Sequence, residues 1–270
     1  MTKISHTPAS DRLSVLSATI LLAYASTRFI NLPSREFEMQ LAGIYLTLEI
    51  NVRTLVGLLV AGLMACGADW LLRGHPAIKG KYTLEHWLLP ALTSWVIGIP
   101  LYRLPLGWQW LISFVIGGAL LMIVLIAEYI TIDHEDRRYA TATAGLTAVS
   151  FALLLMLAIA LRTATIRLIL MLPILTAAGG LISLHTLHLR IPGNWSVWPS
   201  VVLAFVVAQL TASLHYWPLS PVAFGLALTG PAYALISLVG GLSEGRSLRQ
   251  AIVEPVLVLT ILWGTAIWVH

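Results

Sequence analysis

The chain has 270 residues, 58% of them hydrophobic and only 10% charged, with a mean hydropathy of +0.87. A soluble domain carries about a quarter of its residues charged, and no water-soluble fold hides this much apolar surface, so the solvent is lipid. The net charge of +4 comes without a basic run or a polar domain, which excludes a nucleic-acid surface and leaves the basic residues as anchors at the membrane boundary.

The first apolar run covers residues 13–32. Lys3 and Arg12 precede it, and Ala23-Tyr24-Ala25 has the small-x-small form of a signal-peptide cleavage site. Apolar character continues through Phe29, Ile30 and Leu32, which predicts a retained signal-anchor helix. Next, Phe37, Met39 and Leu41 alternate with Glu36, Glu38 and Gln40, and Ile44, Leu46, Leu48, Ile50 and Val52 alternate with polar residues. Alternation on both sides of Ala42-Gly43 predicts a β-hairpin, 36–41 pairing with 44–52.

From Thr54 the alternation stops and further apolar runs follow at 54–72, 84–102, 108–130, 140–161, 166–188, 197–216, 221–241 and 250–269, nine in all. Pro90 and Pro100 interrupt the third, and Pro255 lies early in the ninth, where Ser247 and Gln250 have the capping-box spacing. With the N-terminus in the cytoplasm, inner segments hold ten Lys and Arg residues against six outside, so the positive-inside rule places the hairpin externally. The single cysteine, Cys66, excludes an intrachain disulfide and a thiolate metal cluster.

Ionisable residues inside membrane spans are functional candidates because burying them in lipid is costly. Asp69 precedes Arg73 by four residues, His86 follows Lys81 by five, and Glu128 precedes Asp133 by five. His185 precedes Arg190 by five, and Glu254 follows Arg249 by five. At 1.5 Å per residue, all five lie roughly 6–8 Å inside the inner boundary. Together they form a candidate polar pocket for a cation, a proton or a lipid headgroup; the competing reading is a set of interfacial side chains whose polar ends reach water.

His185 and His188 share a helical face but lack the glutamate of a zinc motif, so no metal site and no cofactor is assigned. Gly179-Gly180 and Gly230-Pro231 read as helix breaks of the kind that line transporter sites or merely kink bundles. Gln209 stands near the middle of the seventh run, where an interhelical hydrogen bond is its expected role.

The stretches EFEMQLAGIYLTLEINVRTLV, GADWLLRGHP, EHWLLPALTSWVIGIPLY, AEYITIDHED and LHYWPLSPVAFGLALTGPAYAL resemble a family of uncharacterised bacterial multi-pass membrane proteins grouped only as a domain of unknown function. The resemblance implies an integral-membrane domain in the bacterial inner membrane and carries over no activity, ligand or functional residue.

The fold expected is therefore a single domain over residues 1–270: an all-α bundle of about nine transmembrane helices, with a short external β-hairpin after the first. Three functional classes remain: a non-catalytic membrane subunit or scaffold, a small-solute or ion permease, and a membrane-embedded enzyme acting on lipid at the cytoplasmic leaflet. The expected partners are the bilayer and a membrane protein or a second copy. The topology is open to labelling: an impermeant thiol reagent applied outside modifies Gly43→Cys and spares Gly80→Cys, and the reverse pattern overturns the orientation.

Overall fold

The computed structural model describes residues 10–26, 35–41, 44–50, 52–75, 78, 84–191 and 196–269. The chain divides into two compact units, residues 1–132 and 133–270.

The first unit holds α1 (Ser10–Ser26), strands β1 (Arg35–Leu41) and β2 (Ile44–Ile50), α2 (Val52–Leu72), a 3-10 turn at Leu84–His86, α3 (Leu88–Arg103) and α4 (Trp108–Thr131). The strands pair antiparallel, with Arg35 opposite Ile50 and Leu41 opposite Ile44. Pairing ends at Ile50 rather than continuing to residue 52, because Val52 already opens α2. The expected turn at Ala42-Gly43 lies outside the described residues.

The expected count of nine spans needs correction. Among the described residues, seven helices are long and apolar enough to cross a membrane: α2, α4 and the five helices of the second unit. At 16 residues, α3 reaches about 24 Å, short of a hydrocarbon core of about 30 Å. The reason lies at the start of α3. Residues 84–86 form a 3-10 turn instead of its first helical turn, and Pro90, which lacks an amide proton, is tolerated only because it falls in the turn that follows. For α1, the remainder of the apolar run, residues 27–34, lies outside the described residues.

Helices α1 and α3 alternate in direction with their neighbours. Arg12, near the start of α1, donates through Nη1 to the carbonyl of Trp70 near the end of α2 at 3.2 Å. Trp110, at the start of α4, donates to the carbonyl of Leu101 near the end of α3 at 3.1 Å. One face of each helix meets in the core: Leu13, Leu16, Ile20 and Tyr24 of α1, Val60, Met64, Ala68 and Leu71 of α2, Ile97 and Leu101 of α3, Leu121 and Leu125 of α4. Spacings of three and four residues put each set on one stripe. The Tyr24 hydroxyl crosses this apolar interior and donates to the carbonyl of Ser94.

The second unit contains α5 (Tyr139–Thr163), α6 (Leu168–Arg190), α7 (Val197–His215), α8 (Pro221–Ser243) and α9 (Leu248–Trp268). The central helix, α8, packs against all four others. Its start is well capped: Ser220 accepts from the Ala223 amide at 3.2 Å, and Pro221 takes the first position, where no donor is needed. Ser247 occupies the corresponding place before α9, yet its hydroxyl makes no capping bond, so the capping box expected there is absent. Arg162, in the last turn of α5, donates to the carbonyls of His215 and Trp217 at 2.9 Å each. These carbonyls lie at and just beyond the end of α7, where helical partners run out and positive charge is favoured.

Neither expected helix break occurs. Helix α6 runs through Gly179-Gly180 because the glycines admit α7: a Cβ at Gly179 would lie 3.0 Å from Val207, and one at Gly180 would lie 3.2 Å from Ala204. Helix α8 runs through Pro231 although the proline removes the amide that should bond Ala227. The indole of Trp263 on α9 supplies the donor instead, at 3.2 Å from the Ala227 oxygen.

Close packing makes a direct prediction. A Cβ at Gly67 would sit 2.1 Å from Leu16 Cδ1, whereas one at Gly62 meets nothing within 4 Å. Gly67→Leu is expected to lower the stability of the detergent-solubilised protein by about 1–3 kcal/mol, while Gly62→Leu leaves it unchanged within about 0.5 kcal/mol. Thermal unfolding followed by tryptophan fluorescence separates the two.

Candidate functional site

Among the described residues, the most deeply buried acid is Glu128. It continues the inward stripe of α4, after Leu121, Val124 and Leu125, and is 0% exposed. A carboxylate on that stripe must find its partner inside the protein. The partner is His86, from the 3-10 turn ahead of α3, whose Nδ1 lies 2.7 Å from Glu128 Oε2. The loss of the first helical turn of α3 therefore coincides with the residue that reaches Glu128. Because both groups are out of water, the pair is held either as imidazolium and carboxylate or as a neutral imidazole and a protonated acid. Its chemical capacity is to hold or pass one proton between two atoms.

Other polar residues gather at the same end of the unit. Asp69 Oδ2 accepts from Arg73 Nε at 2.7 Å, one turn along α2. The Arg12 guanidinium stands 5.0 Å from the centre of the Trp70 ring. Buried His75 packs edge-on against Tyr129, the residue following Glu128, with ring centres 4.7 Å apart. Sequence reasoning singled out Asp69, His86 and Glu128 but not His75 or Tyr129. Neither was assigned a role in the sequence. The signal was their adjacency to Arg73 and Glu128.

In the second unit, Glu254 Oε1 accepts from the Tyr233 hydroxyl at 2.5 Å, which joins α9 to α8. Arg190, at the end of α6, donates to the Ser237 carbonyl at 3.2 Å and lies 4.0 Å from Glu244, which also pairs with Arg246 at 2.8 Å. His185 is buried on α6 beside Ile182, Ser183 and Thr186. The acids of the 133–138 loop bond within it: Asp133 accepts from the Glu135 amide at 3.0 Å and Asp136 from the Arg138 amide at 2.8 Å. Among the described residues, no three His, Cys, Asp or Glu side chains are grouped to hold a metal ion.

The five residues proposed to share one pocket divide between the units. Asp69, His86 and Glu128 belong to the first, where His86 and Glu128 are bonded directly. His185 and Glu254 belong to the second. Tyr233, missed in the sequence, lies three residues after Gly230 and four before Ser237, on the stripe of α8 that carries its contacts.

The pairs differ in burial, and so in what their loss does. Glu128→Ala removes one partner of a buried pair and is expected to cost about 3–5 kcal/mol, the range for such a loss. Glu128→Gln keeps an acceptor and loses less. Asp69→Asn, in a pair whose arginine is 70% exposed, changes stability by less than about 0.5 kcal/mol. Chemical denaturation of the three variants in one detergent checks the order.

No curated protein and no solved structure matches the chain. A family model does match, over residues 32–269, nearly its whole length. Seven candidate membrane-crossing helices and that match identify a polytopic membrane protein that belongs to the DUF5656 family of proteins of unknown function.

Proposed function

We propose that the protein is a non-catalytic membrane subunit or scaffold, a single membrane domain in the bacterial inner membrane with its N-terminus cytoplasmic. The observation that supports this reading is the way its intramembrane acids are used. Glu128 bonds the turn before α3, Glu254 bonds α8, and Asp69 bonds the end of its own helix. Side chains engaged in this way brace one element against the next or the chain just past a helix end, as expected of a body whose task is to present a stable surface to another membrane protein. Purification from native membranes in mild detergent, followed by native mass spectrometry, tests it. A stable complex is the expected result, and a chain that stays alone under all mild conditions speaks against it.

A second reading, a proton-linked permease for a small solute or ion, draws support from the complete burial of Glu128 against His86. Liposomes containing the purified protein and a pH-sensitive dye distinguish the two. The subunit reading expects no proton flux above protein-free liposomes. The permease reading expects flux that Glu128→Gln abolishes while the variant remains folded.

A further inference from the structure

On α7, Ser200, Leu203, Val207, Thr211 and Leu214 are buried, the face that meets α6 and α8. The opposite face carries Trp198 at 81% exposure, Val202 at 59%, Phe205 at 62% and Tyr216 at 77%, with Gln209 also exposed between them. The steps from Trp198 to Val202, Phe205 and Gln209 are four, three and four residues, the spacing of a left-handed two-helix seam.

Gln209 makes this face unlike an ordinary lipid-facing one. It lies six residues before His215, about 9 Å from that end of the helix and about 18 Å from the other. Exposed hydroxyls on the helices, such as Ser213 and Thr260, bond the carbonyl four residues back at 2.8 Å. The Gln209 side-chain amide bonds no described residue, and its backbone carbonyl is the acceptor for Ser213. An amide left unbonded in hydrocarbon costs several kcal/mol.

We infer that this face of α7 docks against α7 of a second copy of the chain, with the two Gln209 amides bonded to each other near the two-fold axis. Two features select a second copy over a different protein. A carboxamide has both a donor and an acceptor, so it complements itself where a two-fold axis sets a residue against its own copy. Moreover, α7 has no charged residue from Val197 to Leu214, so the face offers nothing for an oppositely charged partner to match. The inference holds whether the protein is a scaffold or a permease.

The test uses the full chain in native membranes, with Cys66→Ser removing the single native thiol. In this background, single variants Val202→Cys, Phe205→Cys and Gln209→Cys are oxidised and run on a denaturing gel. All three are expected to form disulfide-linked dimers at twice the 29.4 kDa chain mass. Ile112→Cys on α4 and Val256→Cys on α9, both exposed and apolar, serve as controls and remain monomeric. In detergent, Gln209→Leu weakens dimerisation about tenfold by analytical ultracentrifugation, the scale of one interhelical polar bond. Monomers at all three seam positions, adducts with another protein, or equal dimer yield at the controls would each overturn the inference.

Discussion

A polar group that loses water on entering a bilayer must find another partner, and much of this structure follows from that constraint. Several buried hydroxyls meet it locally. Thr93, Ser150, Ser183 and Thr211 each bond the carbonyl one turn back in their own helix. Such bonds need no neighbour and specify no tertiary contact. Where the local solution is unavailable, a second element is recruited: His86 by Glu128, Tyr233 by Glu254, the Ser94 carbonyl by Tyr24, and the Leu189 carbonyl by Tyr139 at 2.7 Å. These bonds fix which helices are adjacent.

Helix association in lipid has little hydrophobic driving force, so close fit supplies the remainder. Glycines where neighbouring helices approach leave room for Leu16, Val207 and Ala204. Large aromatic residues take the other role. Trp108, Trp198, Trp217 and Trp268 stand exposed at or near helix ends, where an amphipathic ring matches the boundary between lipid and water. The two residue classes divide the work: small ones set the distance between helices, and large ones set their depth.

Helix positions were largely legible in the sequence, because an apolar run of sufficient length has few alternatives in lipid. Partners were less legible. The common depth of Asp69, His86 and Glu128 pointed to a polar layer, and depth along a helix does follow from residue count. It does not reveal rotation, so nothing in the sequence said that His86 would meet Glu128 while Asp69 would pair along its own helix with Arg73. The two glycine motifs misled for a related reason. A glycine pair or a Gly-Pro step marks where a helix is weakest, but whether it breaks depends on what packs there. Val207 and Ala204 fill one site and the indole of Trp263 repairs the other, and both lie on different helices.

That repair also bears on how the protein is made. The Ala227 carbonyl on α8 receives its donor from Trp263, on α9, which is synthesised after it. Until α9 enters the bilayer and docks, the middle of α8 holds a carbonyl without its bond. Unit two therefore cannot mature helix by helix as its segments emerge, because its central member waits for α9. A nascent chain stopped short of Trp263 would hold every residue of α8 and still present the insertion machinery with an unfinished helix.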